Sequence, residues 1–246
     1  MVRRFLEEES TMRLNTVANI AKVGLASLVL VLLDAPIPRA MGETDSPLRG
    51  SLIAVTGRVR ASASEEPSGV VVWLVPARTR QKGRPAIGLP HYKIVQRNKT
   101  FEPRLLVIPA GSTVDFPNND RWFHNVFSIS RGRQFDLGLY EGGVLRSVTF
   151  DRAGVSYLFC SIHPEMMAVV VTVDSPYFGV SDKGGRIAID HVPPGQYFLH
   201  VWRENVKPQA LAAMNRLVFV GDEQQSLPPI DAPLSETRTT NGQNWM

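Results

Sequence analysis

Cys160-Ser161-Ile162-His163-Pro164-Glu165-Met166, set between the apolar runs Tyr157 to Cys160 and Met167 to Val173, decides how the rest of this chain is read. The stretch puts a thiol, an imidazole and a thioether into one inter-strand turn. Pro164 has no backbone N–H and a fixed φ, so it stiffens the turn just after His163. Upstream, Trp122-Phe123-His124-Asn125-Val126 supplies a second imidazole at the start of another strand. Two imidazoles, a thiolate and a weak axial thioether form a trigonal donor set that suits copper in both oxidation states. The candidate ligands are therefore His124, Cys160, His163 and Met166, for one copper per chain. The turn fixes three of them relative to one another, and the surrounding strands hold His124 against them.

Each of these residues has a plainer reading. Cys160 alone is a small buried hydrophobe, and His124 alone is a loop histidine. Met167 competes with Met166, but strand alternation sends only one of them toward the metal, and Met167 is expected to pack in the core. Glu165 is the alternative axial donor through oxygen. His91, His191 and His200 lack ligand spacing and read as surface or satisfied histidines. Trp73, Trp122 and Trp202 read as core or rim aromatics. Asp115 and Asp136 could serve as an acid–base pair, but nothing in the sequence brings them together. Gly142-Gly143 is too short for a phosphate loop, and no serine sits in a Gly-x-Ser-x-Gly elbow.

Outward from the turn, short apolar runs alternate with turn residues: Ser51 to Arg60, Gly69 to Val75, Tyr92 to Gln96, Arg104 to Ile108, Thr113 to Phe116, Asn125 to Ile129 and Leu145 to Phe150. Beyond Val173, Arg186 to Ile189 and Gln196 to Trp202 follow Gly184-Gly185 and Pro193-Pro194-Gly195 turns. Eighteen prolines and 19 glycines in 246 residues fit this pattern. Lys207 to Arg216 is expected to be one short helix, and the polar segment from Asp222 onward to be disordered. The sum is an all-β, Greek-key β-sandwich.

Asn118-Asn119, His124-Asn125-Val126 and Cys-x-x-His-Pro-x-Met together resemble the plastocyanin/azurin-type cupredoxins, with a His163-to-Met166 gap similar to that of amicyanin. Phe101-Glu102-Pro103, Phe135-Asp136-Leu137-Gly138 and Pro193-Pro194-Gly195-Gln196-Tyr197 resemble bacterial methylamine-utilization or plastocyanin-like proteins. The likeness covers roughly residues 50–205. It implies that His124, Cys160, His163 and Met166 are the copper ligands, that Asn125 ties the two ligand-bearing segments together, and that electrons leave at the exposed edge of His163. Phe159 stands where plastocyanin has a tyrosine, so a tyrosine-mediated electron route from that position is missing. Gly57 to Leu74 with Asp182 to Trp202 resembles a carboxypeptidase regulatory-like sandwich. The expected organisation is a signal peptide or anchor at 1–40, a linker and accessory strands at 41–90, a copper domain at 91–175, further accessory strands at 176–221 and a tail at 222–246. The accessory strands either pack as a second sandwich or extend one sheet.

Arg3, Arg4, Arg13 and Lys22 precede the apolar run Val23 to Leu33, which is shorter than the ~20 residues a membrane span needs and fits a secretory signal. The expected location is the periplasm, with membrane attachment only if that segment stays uncleaved. One cysteine among 246 residues excludes an internal disulfide. Net charge is +4 with a pI near 9.4, yet Lys and Arg are scattered with no run of five, which disfavours a nucleic-acid partner. Three functions remain open. The chain is an electron carrier serving a redox partner protein, a copper carrier or storage module without fast cycling, or a metal-free binding sandwich. An enzyme is not expected, because protein side chains take every strong position on the metal.

Overall fold

The computed structural model describes residues 52–61, 66–78, 91–221 and 226–232. The expected signal segment, most of the linker and most of the loop at 77–90 lie outside the described residues. Seventeen strands and one short helix make up the described part.

The middle of the chain carries β3 (His91–Lys93), β4 (Val95–Arg97), β5 (Thr100–Glu102), β6 (Leu105–Pro109), β7 (Ser112–Pro117), β8 (Phe127–Ser128), β9 (Phe135–Asp136), β10 (Leu145–Phe150), β11 (Gly154–Phe159) and β12 (Met167–Val173). These form two facing sheets, ordered β10-β7-β3 and β6-β12-β11-β8-β9, plus the β4–β5 hairpin. The β6–β12 and β3–β7 pairs are parallel and join strands distant in sequence, so neither pair is a simple hairpin. Phe116, Phe150, Ile108, Leu158 and Val170 fill the space between the sheets, and Cys160 and Met166 lie at one end of the same core.

The flanking strands pair only with each other. β1 (Ile53–Arg60) lies between β14 (Arg186–Val192) and β17 (Ile230–Asp231). The facing sheet runs β13 (Phe178–Val180), β2 (Val71–Pro76), β15 (Gly195–Trp202), β16 (Arg216–Val220). They enclose their own core of Val55, Val72, Leu74, Ile189, Leu199 and Ile230. The accessory strands are thus a second sandwich interrupted by the middle block, not an extension of one sheet.

A third apolar layer joins the sandwiches. Val71, with Trp73, Phe178 and Trp202 packed alongside, meets Val107, Val169, Val171 and Val173. Strand β12 is therefore covered on both faces, Ala168 and Val170 in one core and Val169, Val171 and Val173 in the other. That double burial explains why its sequence is a continuous valine-rich run rather than an alternation. At the margin, Arg104 makes a bidentate pair with Glu204 at 2.8 and 2.9 Å.

Three expectations need correction. The helix is only α1 (Pro208–Ala212), and Arg216 opens β16, whose alternating burial marks a strand. The expected disorder from Asp222 fails at 226–232, where Leu227 and Ile230 are buried and Ile230–Asp231 pairs in parallel with Val59–Arg60, while 222–225 and 233–246 lie outside the described residues. Met167 does not enter the core beside Cys160. It is partly exposed on the parity of Val169 and Val171, whereas Met166 is buried on the cysteine side.

Candidate metal centre

Cys160 directly follows β11, whose pairing with β12 sets the turn that links them. Within that turn the Met166 N–H donates to the His163 carbonyl at 3.0 Å, curling the chain so that His163 faces back over Cys160. His124 comes from the other segment. Its backbone exchanges hydrogen bonds with Tyr140 at 3.1 and 2.8 Å, and its side chain is fully buried. Asn125 joins the two segments: its Oδ1 accepts from the Ser161 N–H at 2.7 Å and the Ser161 hydroxyl at 2.9 Å, and its Nδ2 donates to Asp136 at 3.3 Å.

These constraints bring three donor atoms together. Cys160 Sγ lies 3.9 Å from His124 Nδ1 and 3.8 Å from His163 Nδ1, and the two Nδ1 atoms are 3.0 Å apart. A point inside this triangle lies about 2.1 Å from all three, close to metal–nitrogen distances of about 2.0–2.1 Å and a little inside metal–sulfur distances of about 2.3 Å. The donor set fits one small metal ion in trigonal coordination. Among the described residues this is the single group of three His, Cys, Asp or Glu side chains so placed. Met166 is 1% exposed and shares the core cluster of Cys160, while Glu165 is exposed.

The electrostatics favour bare nitrogens facing inward. His124 Nε2 lies 2.9 Å from Asp120 Oδ2. A carboxylate only accepts, so Nε2 carries the proton and Nδ1 presents its lone pair to the triangle. Burial alone would raise the Asp120 pKa. Hydrogen bonds from the Lys99 N–H, His124 and the Asn98 N–H outweigh it and hold the carboxyl below its ordinary value. Burial, and then the charges of His124 and Lys99, lower the His163 pKa and so favour its neutral, ligating form. Beneath the site, burial pushes the Tyr140 hydroxyl up to about 12. It stays protonated, donates to the Phe116 carbonyl at 3.1 Å and accepts from Gln96 Nε2.

The other residues singled out in the sequence lie elsewhere. His91 faces Asp115 at 3.4 Å on an exposed sheet face, and Ser147 donates to the same carboxylate at 2.6 Å. His200 stacks on Trp73 with ring centroids 5.1 Å apart, and His191 is an exposed residue near the end of β14 with φ 60°. Asp136 serves Asn125 and the Gly138 N–H, so it makes no pair with Asp115. Trp122 is exposed beneath the side chains of Lys99 and Arg121, 5.5 and 4.6 Å from its ring centroid. Sequence reading missed Asp120, because Pro117-Asn118-Asn119-Asp120 looked like turn chemistry alone. The available signal was its position four residues before a candidate ligand histidine.

No protein-family model matches the chain, and no curated protein matches it in sequence. Solved structures match part of it. A purple cupredoxin from Nitrosopumilus maritimus is 26% identical across 33% of this chain and 99% of its own, with a TM-score of 0.31. A copper-containing nitrite reductase from Thermus scotoductus SA-01 is 24% identical across 41% of this chain and 25% of its own, with a TM-score of 0.35. An amicyanin variant in its Cu(I) form is 21% identical across 36% of this chain and 87% of its own, with a TM-score of 0.33.

Proposed function

We propose that this chain is an exported electron carrier that holds one copper ion on His124, Cys160 and His163, with Met166 as the weak axial donor. The observation that carries the reading is the triangle of one sulfur and two nitrogens at 3.0, 3.8 and 3.9 Å. Copper in such a set exchanges single electrons between Cu(I) and Cu(II), tuned by the axial sulfur.

The protein's own part is to hold the donors still. Asn125 fixes the turn that carries Cys160 and His163, Asp120 fixes the His124 ring, and the paired sheets fix both segments. His124, Cys160 and Met166 are 0, 5 and 1% exposed, so His163 alone among the four approaches solvent. This closure favours carrying electrons over turning over a substrate, which needs an open coordination position. A redox partner protein docks over the edge of His163. The exposed Ile162, Trp122 and Phe123, which flank the ligand segments, supply apolar contact there.

Export to the periplasm rests on the basic residues before Val23 to Leu33 and on the lone cysteine being taken up by the metal. Among the described residues no helix is long and apolar enough to cross a membrane. The test is the electron self-exchange rate of copper-loaded protein, read from NMR line broadening in mixed-valence samples. Fast exchange is expected. Slow exchange with tight retention of Cu(I) would instead identify a carrier or storage module.

A further inference from the structure

The β4–β5 hairpin turns through two residues, Asn98 and Lys99, since Arg97 pairs with Thr100. Both turn residues have positive φ, 52° and 56°, the conformation a tight two-residue hairpin requires. Their amides therefore point the same way, and both reach one carboxylate. The Asn98 N–H donates to Asp120 Oδ1 at 2.7 Å and the Lys99 N–H to Oδ2 at 2.9 Å. Oδ2 also faces His124 Nε2 at 2.9 Å.

Asp120 has little freedom to move away. Its N–H donates to Asn118 Oδ1 at 3.0 Å, and the buried Asn118 in turn donates to the Trp122 and Tyr140 carbonyls at 2.8 and 3.2 Å. The Asn119 N–H donates to the Gln96 carbonyl at 2.8 Å, tying the same segment to β4. Gly142 packs so closely that a Cβ there would lie 2.1 Å from the Asp120 carbonyl oxygen. Three N–H donors thus converge on a fixed, acceptor-only group, and none could face a donor without losing its bond.

We propose that the Asn98–Lys99 turn, acting through Asp120, is a positioning element of the metal centre that decides which ring nitrogen of His124 is bare. The tautomer claim concerns the protein without metal. The claim on metal affinity rests on the copper reading above. Lys99 also lies over the exposed Trp122 ring, so one residue serves both the face beside the site and the carboxylate behind it.

Long-range nitrogen–proton NMR of the reduced, metal-free protein at neutral pH reads the tautomer directly. Wild type is expected to show His124 as Nε2–H. D120N must turn its amide NH2 toward at least one donor, and the Nε2–H to Nδ1–H ratio should fall at least about tenfold, while D120E keeps the wild-type tautomer. Cu(II) affinity of D120N, measured against a competing chelator, should fall about 10–100-fold with a changed copper hyperfine splitting. K99P deletes one amide donor and cannot adopt the turn's positive φ, so it tests the turn with Asp120 intact. A shift in the same direction is expected, and this variant decides the matter if D120N does not fold. Wild-type His124 as Nδ1–H, or D120N and K99P both indistinguishable from wild type, would overturn the proposal. Absence of a thiolate–copper band alongside the predicted tautomers would remove the copper reading and leave the positioning role standing.

Discussion

Asn125→Ala removes the side chain that bridges the two ligand-bearing segments, and its effect divides into two measurable parts. The Asn125 side-chain Oδ1 accepts two hydrogen bonds from Ser161, at 2.7 and 2.9 Å, in a residue only 4% exposed. Stranding a buried partner costs about 1–3 kcal/mol. Ser161 itself is exposed, so water can recover its hydroxyl bond, which places the loss at about 1–2 kcal/mol. For a chain of this size each kcal/mol moves Tm by about 2–4 °C, so metal-free protein should melt about 2–8 °C lower. The second part appears only with metal. Loosening the Cys160–His163 turn against His124 should weaken copper binding about 10–100-fold. At saturating metal that removes a further ~1.4–2.7 kcal/mol of ligand-linked stabilisation. Calorimetric melting with and without copper, paired with chelator competition, separates the terms. A variant with wild-type metal-free Tm and copper affinity within about twofold would refute the assignment of Asn125 as the strap between segments.

Ile230→Ala should cost about 2–5 kcal/mol in urea unfolding, because the residue is fully buried in the accessory core; a loss under about 0.5 kcal/mol would mean the C-terminal strand does not dock. Cys160→Ser should abolish the thiolate-to-copper absorption and the copper-dependent rise in Tm, both read in one titration, while a retained rise would point to a site without the thiolate. The Asp115 carboxyl is held below its ordinary value first by the Ser147 hydroxyl and then by His91, against the opposing effect of burial. A lowered folded-state pKa gives stability that is present above the unfolded value of 3.8 and is lost as pH falls below it. Ser147→Ala should raise the Asp115 pKa in an NMR titration and flatten the acid limb of the stability curve, leaving stability at pH 7 reduced. An unchanged titration would remove that hydroxyl as the cause.

The candidate ligand segments were legible as a cluster because their chemistry is local. Cys160, His163 and Met166 sit in one turn, and strand parity separates Met166 from Met167 once the register of β12 is fixed. The expectation that Met167 packs in the core failed because Met167 opens β12, ahead of Val169 where pairing with β6 and cover from the Val71 and Trp202 layer begin. Strand β16 was hidden because Leu217 and Phe219 face outward, so the apolar run does not reveal which side is buried. Leu227 and Ile230 were hidden because these two core residues stand apart, separated by two prolines, in an otherwise polar segment. Asp120 escaped for a similar reason: its partners are backbone amides of a hairpin, which any sequence supplies.

The most direct measurement is the combined optical and paramagnetic resonance spectrum of the protein after one equivalent of Cu(II). An intense visible thiolate-to-copper band, a narrow copper hyperfine splitting, and loss of both in C160S are the predicted result. A spectrum of copper bound only by nitrogen and oxygen, identical in wild type and C160S, would contradict the convergence of His124, Cys160 and His163 on one ion.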